Sequence, residues 1–444
     1  MNRKTIYLLS AILFIGFFCR SFRIDKFGLS YDEQVSILIA EGKYHGSTDL
    51  NSDYSLHLSQ DNSFGNVIAG TVFDNGNSVA YNIFLHYWLL IFGSTAESAR
   101  ELSIVFGLLL IPLGYAFSKI IFENENAGCL TALLLALHPL LTEFAHVARA
   151  YTMATFFSTL SSYFFYRMIS GTAKNKTFAF YVVASVTALL SHYLTSYIFI
   201  AHGLIFLLFM RHRILWMKYL TANFIIGCMF LLWFFSFGKE GVKVMDALNS
   251  DFTTRAADFT AGDNPFVIPA TAKNIFTCWL QIWLQMFGDQ LQNFGLRIRE
   301  VAVLVLLPFS ILYFFLRQIK NTSYEKSAVV FLLAMTFVQT LFLTALAVRA
   351  GHCISLRPVY ANFATPYAII LLAHSIFISG KVKQLQKPVA AITAAIILIM
   401  VLSLVPGYLN KAKKFPEKTG AFPGDMEKLD CSGYCPVEEC VFTS

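Results

Sequence analysis

The chain has 444 residues, 56% of them hydrophobic and 14% charged, with a mean hydropathy of +0.58, whereas soluble domains carry about 25% charged residues. This excludes an ordinary soluble globular protein, and the long apolar runs exclude a barrel, whose strands alternate in short segments. The net charge of +7 does not signal a nucleic-acid partner, because Lys and Arg fall in short connectors and form no basic stripe.

Taken in chain order, "MNRKTIYLLSAILFIGFF" has the charge pattern of a signal peptide but no small-residue cleavage site, so it reads as an uncleaved first span over 5–23. Further spans are predicted over 98–122, 127–145, 150–168, 178–194, 195–210, 216–237, 298–317, 327–348, 359–379 and 388–407, about eleven in all. With a cytoplasmic N-terminus, the inside connectors carry Arg3 and Lys4; Arg167, Lys174 and Lys176; Arg211, Arg213 and Lys218; Arg317, Lys320 and Lys326; and Lys381, Lys383 and Lys387. This is the distribution that the positive-inside rule requires. The acidic "FENENAG", 122–128, is the exception.

The same count places 24–97, 238–297 and 408–444 outside, giving a transmembrane bundle over 1–407 and a short Cys-containing outer tail. Within the first outer loop, "NSVAYNIFLHYWLLIFG", 77–93, is apolar and aromatic but too short to span comfortably. It is expected to lie in the interface or re-enter, with Tyr81, Tyr87 and Trp88 at headgroup depth. "FTCWLQIWLQMFG", 276–288, looks like a second such segment. Cys19, Cys129, Cys228 and Cys278 read as buried thiols, while Cys353, Cys431, Cys435 and Cys440 fall outside, where disulfides persist. A bridge from Cys353 to the tail is one possibility, and a metal site in the tail is another.

"SYDEQVSILIAEGKY" contains a helix start at Ser30 or Asp32 and predicts a short helix along the outer membrane face. Successive side chains on a helix point about 100° apart. One of the two adjacent carboxylates, Asp32 and Glu33, can therefore enter a cavity while the other braces a second element. The alternative is that both complement the helix dipole. Arg149, where the third span emerges, suits an anionic oxygen, or else snorkels at a helix end. Arg100 is a weaker candidate of the same kind, with Glu97 and Glu101 as local partners. His192 and Tyr193 in "LLSHYLTSY", and His352 and Arg357 in "RAGHCISLRPVY", lie at outer span ends and read either as core residues or as site residues. Convergence of Asp32, Arg149, His192 and Arg357 at one membrane face favours a site. No Walker loop, Rossmann glycine fingerprint or H-E-x-x-H helix is present, and "DNGNS", 74–78, reads as a turn.

Five stretches together resemble the C-type membrane glycosyltransferases, in particular the dolichyl-phosphate-mannose protein mannosyltransferases and the lipid A aminoarabinose transferases. They are "YDE" after the first span, "YNIFLHYWLLIFGSTAESARELSIVFGLLLIPLGYAFSKIIF", "LLLALHPLLTEFAHVARAYTM", "SHYLTSYIF" and "VYANFATPYAIILLA". The match is tightest over 25–200. Family members often place Glu directly before the Ala-Arg pair, where this chain has Val147. The resemblance implies an all-α bundle with juxtamembrane helices in its first outer loop. It further implies an inverting transfer of a hexosyl or pentosyl group from a polyprenyl-phosphate donor to a protein, lipid or glycan hydroxyl. The site would face the periplasmic side of a bacterial inner membrane, with Asp32 as general base and Glu33 beside it fixing local geometry. Arg149, with Arg357 and Arg100, would hold the donor phosphate. Tyr151, His192, Tyr193, His352, Tyr81 and His86 would line the substrate pocket. Divalent-metal use stays open. A transporter, flippase or polymerase of lipid-linked glycans is the alternative, although the chain shows no convincing internal repeat.

Overall fold

The computed structural model describes residues 2–26, 28–45, 57–58, 63–172, 174–209, 213–257, 268–286, 323–380 and 386–414. Among these, the chain is almost wholly helical: α1 (Arg3–Ser21), α2 (Tyr31–Ala40), α3 (Phe64–Phe73), α4 (Val79–Phe92), α5 (Ala96–Phe122), α6 (Glu125–Leu137), α7 (Pro139–Ala145) and α8 (Tyr151–Ile169). It continues with α9 (Asn175–Ser191), α10 (Tyr197–Phe209), α11 (Arg213–Trp233), α12 (Lys239–Ala257), α13 (Ala272–Met286), α14 (Ser323–Ala350), α15 (Thr365–Gly380) and α16 (Gln386–Lys414). A two-residue antiparallel ladder, Tyr44–His45 with His57–Leu58, interrupts the first outer loop.

Ten of the eleven predicted spans coincide with helices; the eighth, 298–317, lies outside the described residues, as do Cys431, Cys435 and Cys440. Among the described residues, four helical stretches are by themselves long and apolar enough to cross a membrane: Arg3–Ser21, Ala96–Phe122, Trp216–Lys243 and Ala328–Ala350. The others are shorter or more polar. α8, for example, buries Ser158, Ser161, Ser162 and three threonines. The predicted third span is two helices, α6 and α7, bent by 55°.

That bend has a local cause. Pro139 has no N–H to give to the carbonyl one turn back, so the last carbonyls of α6 lose their helical partners. Arg20, fully buried at the end of α1, replaces them: Nη2 donates to Leu135 O at 2.9 Å and Nη1 to Ala136 O at 2.9 Å. Gly107 makes room, since a Cβ there would stand 3.0 Å from Arg20 Nε. The acidic connector at the other end of the bundle is neutralised in a similar way, with Glu125 paired to Lys119 at 2.7 Å and accepting from Thr5 Oγ1 at 2.9 Å.

Cys228, expected as a buried thiol, is exposed on α11, while Cys129, Cys278 and Cys353 are buried. The juxtamembrane helices match expectation more closely. α4 turns Tyr81, Asn82, Leu85, His86 and Leu89 inward and leaves Phe84, Tyr87, Leu90 and Ile91 exposed, so both its faces are largely apolar. The pieces that meet α2–α4 and the turn after α3 are the 146–150 turn, the 192–196 turn and the end of α11, with the 351–363 segment packed on Tyr151 and His192. These pieces build the site.

Candidate functional site

α2 begins with a capping box. Ser30 Oγ accepts from the Glu33 N–H at 3.4 Å, and Glu33 Oε2 accepts from the Ser30 N–H at 3.0 Å. Glu33 does more than cap. Its Oε1 accepts from Arg100 Nε at 2.8 Å and from the Ala148 N–H at 3.0 Å, and Oε2 accepts from Arg100 Nη2 at 3.2 Å. Arg100 also donates to Ile24 O (3.0 Å) and Gly28 O (2.7 Å). Burial disfavours the Glu33 charge, but the Arg100 guanidinium and these hydrogen bonds outweigh it and hold the carboxyl below the usual carboxylate value. All three guanidinium nitrogens of Arg100 are engaged with protein, so it is a brace in this structure and not the phosphate holder expected from the sequence. Its partner is the distant Glu33 in place of the helical neighbours Glu97 and Glu101. Glu33 likewise is buried with both carboxylate oxygens engaged by protein partners, and the role it shows is positional.

Through Ala148 the same carboxylate pins the turn that carries Arg149. Arg149 Nη1 donates to Asp32 O (3.3 Å), to Ser36 Oγ (3.0 Å) and to Asp74 Oδ2 (3.2 Å). Its Nε and Nη2 donate to nothing among the described residues. The Asp32 carboxylate, half-buried, likewise has no hydrogen bond or ion pair among the described residues. Tyr151, just beyond Arg149, lies within electrostatic reach of Asp32, Arg149, Arg357 and Tyr360. Its ring packs on Phe144 (5.4 Å), His192 (5.7 Å) and Tyr360 (6.4 Å), and His192 in turn meets Tyr360 (5.6 Å) and Phe363 (5.1 Å). A carboxylate, an arginine edge and two tyrosines with unspent polar atoms thus face one another beside an aromatic wall.

Residues 78–236 match the family described as dolichyl-phosphate-mannose-protein mannosyltransferase. The folded chain is similar to ArnT from Cupriavidus metallidurans bound to undecaprenyl phosphate, with a TM-score of 0.57 at 14% identity over 94% of this chain and 68% of that one. The chain has the C-type membrane glycosyltransferase fold. The archaeal oligosaccharyltransferase AglB from Archaeoglobus fulgidus, in complex with an inhibitory peptide and a dolichol-phosphate, superposes with a TM-score of 0.50 at 12% identity over 95% of this chain. An Archaeoglobus fulgidus oligosaccharyltransferase in complex with Zn and sulfate gives 0.52 at 13% identity over 89%. The present chain spans 56% and 52% of the oligosaccharyltransferase chains in these two comparisons. No curated protein sequence matches it.

Asp74 is the residue beside Arg149 that sequence reasoning passed over. It lies in the turn after α3, which reads as ordinary turn chemistry. The position before the Ala-Arg pair is Val147, and the carboxylate facing Arg149 comes from Asp74. Burial pushes the Asp74 carboxyl above its ordinary value; Arg149 pulls it back only in part, and the Asp32 charge adds to the push. The turn is clamped from behind. Tyr193 donates its hydroxyl hydrogen to Gly76 O and accepts from Trp233 Nε1 at 2.8 Å, while its N–H donates to Asn77 Oδ1 at 3.1 Å. A Cβ on Gly241 would lie 2.4 Å from Gly76 N, so only glycine lets α12 close on this turn. The one π-helical turn among the described residues, Phe234–Gly238, re-aims the chain at that contact.

The remaining pocket candidates separate. His192 and Tyr151 join the aromatic wall, whereas Tyr193 serves the clamp. Tyr81, on α4, is wholly buried in a cluster with residues of α2 and α5. His86 donates from Nδ1 to Ala40 O at 2.7 Å, capping the end of α2. His352 pairs its backbone with Pro269 and packs on Phe252 at 5.8 Å, with no contact to Asp32 or Arg149. Among the described residues, no group of three His, Cys, Asp or Glu side chains could hold a metal ion.

Proposed function

We propose that the protein moves a sugar from a polyprenyl-phosphate donor to a hydroxyl acceptor, working at the extracytoplasmic face of a bacterial inner membrane. The observation that carries this reading is the pairing of a half-spent arginine with an unspent carboxylate. Among the described residues Arg149 is held through one nitrogen, which leaves Nε and Nη2 without a protein acceptor, and the Asp32 carboxylate beside it has no hydrogen-bond partner. A guanidinium held this way can grip two phosphate oxygens without reorganising. As the glycosidic bond breaks, negative charge grows on those oxygens, so the fixed cation stabilises the transition state more than the ground state.

Asp32 takes the proton of the acceptor hydroxyl. A carboxylate is a weak base for an alcohol, so the transfer comes late, as the attacking oxygen gains positive character at the anomeric carbon. One displacement inverts that carbon and requires no nucleophile from the protein. Tyr151, Tyr360 and His192 offer ring faces and hydroxyls to the sugar. Arg357 lies within reach of Tyr151 to add positive charge, and Asp74 holds Arg149 in register until the phosphate arrives.

The test is sugar transfer by the purified protein in vesicles supplied with polyprenyl-phosphate sugars, read together with mass spectrometry of envelope glycans from cells with and without it. A sugar lost from one glycan and restored in vitro supports the reading. Movement of lipid-linked sugar between leaflets without a new glycosidic bond would replace it with transport.

A further inference from the structure

α13 lies in the outer connector 238–297 and docks on the segment that follows α14. The seam is a single antiparallel bridge, Pro269 with His352, closed by hydrogen bonds from the Ala270 N–H to Gly351 O (3.0 Å) and from the Cys353 N–H to Ile268 O (3.1 Å). α13 buries Cys278, Ile282 and Met286, one turn apart, and Trp279 Nε1 donates to Thr344 Oγ1 at 2.7 Å. Inside this seam the Cys278 and Cys353 thiols belong to one buried cluster and lie within interaction range of each other, and Cys353 Sγ stands 3.9 Å from Pro269 O. Exposure is 3% for Cys278 and 0% for Cys353. The sequence suggests the tail cysteines as partners for Cys353, but the fold supplies a different one.

We propose that Cys278 and Cys353 close a disulfide that staples α13 to the segment carrying Arg357 and Tyr360. Each thiol gives up its proton, a sulfur–sulfur bond forms, and the two electrons reduce an external disulfide, that of a thiol oxidase of the compartment, to two thiols. Thiols at an extracytoplasmic face meet such oxidants, and cytosolic ones do not. Both sulfurs are covered once the helix is seated, so the exchange accompanies docking during folding, and the finished bond is shielded from later reductants.

The experiment uses the full chain in its own membranes, quenched with N-ethylmaleimide in denaturant and digested without reduction for peptide mass mapping. The expected result is a linked pair joining the Cys278 and Cys353 peptides, split by reductant and absent from the Cys278→Ala/Cys353→Ala double variant. Recovery of both as alkylated thiols, or of either joined to another cysteine, overturns the proposal. The inference rests on the sidedness proposed above, and that is read separately. In the double-alanine background, Lys273→Cys on the exposed side of α13 should react with a membrane-impermeant maleimide on intact cells. Labelling only after permeabilisation withdraws the sidedness and the disulfide together; labelling on intact cells with unlinked native cysteines removes the disulfide alone.

Discussion

Two acid–arginine pairs stand next to each other at the start of α2, and they are built in opposite ways. The Glu33–Arg100 side chains are 4% and 2% exposed, while those of Asp74–Arg149 are 19% and 17% exposed. In the first pair every guanidinium nitrogen and both carboxylate oxygens are engaged. In the second, one arginine nitrogen does all the work, and Asp32 alongside keeps its carboxylate open. A charge surrounded on all sides by protein partners can only hold structure, whereas a charge anchored at one corner is oriented yet still able to take a ligand. Adjacent residues of one helix, Asp32 and Glu33, therefore divide between the two regions.

The comparison can be broken most sharply at Asp32. Asp32→Asn should lower sugar transfer about a thousandfold, within the range for loss of a general base, while thermal stability and donor affinity stay at wild-type values. Wild-type turnover would remove Asp32 from the chemistry. Next in size, Glu33→Gln or Arg100→Ala strands a buried charge and should cost about 3–5 kcal/mol of stability, seen as a lower unfolding temperature in detergent. An undiminished melting temperature would show that the two pairs do not differ as described.

Arg149→Ala should weaken donor binding about ten- to a hundredfold, as expected for loss of a charge-assisted hydrogen bond of about 1.5–3 kcal/mol, with little change in melting temperature. Titration of the lipid-phosphate sugar measures it, and unchanged affinity would assign Arg149 to structure. The smallest effects are in pH. Glu33 has a folded value below its unfolded one, so its stabilisation is complete above the usual carboxylate value and is lost as pH falls through the lowered folded value. Glu33→Gln should erase that step in an acid-unfolding curve. Asp74 is shifted upward, so its contribution to stability declines as pH rises through the raised value. As pH falls through that raised value Asp74 takes a proton, Arg149 loses its counter-charge, and donor affinity should tighten several-fold. Asp74→Asn should flatten that dependence.

Much of the helix plan is legible in the sequence because it rests on local rules. Apolar run lengths mark the spans, Ser30 and Glu33 mark the start of α2, and the amphipathic spacing of 276–288 marks α13. The partnership of Asp32 and Arg149 follows from chain alternation, which sends both to the same end of the bundle. Asp74 stays hidden because a turn residue carries no periodic signature, and nothing local shows that the turn is clamped by Tyr193 and α12. Arg100 misleads for a related reason: helical spacing offers Glu97 and Glu101, but desolvation rewards the partner that can be buried with it, Glu33.

Composition alone made this chain a membrane bundle, since so few charges and such long apolar runs have no other stable arrangement. Local sequence set the helix starts, the break at Pro139 and the side-by-side acids of α2. Packing decided which charges were consumed and which were left open, which turn reached Arg149, and which thiol met Cys353. Those outcomes depend on contacts between residues distant in the chain, whose energies of burial and hydrogen bonding no single segment contains.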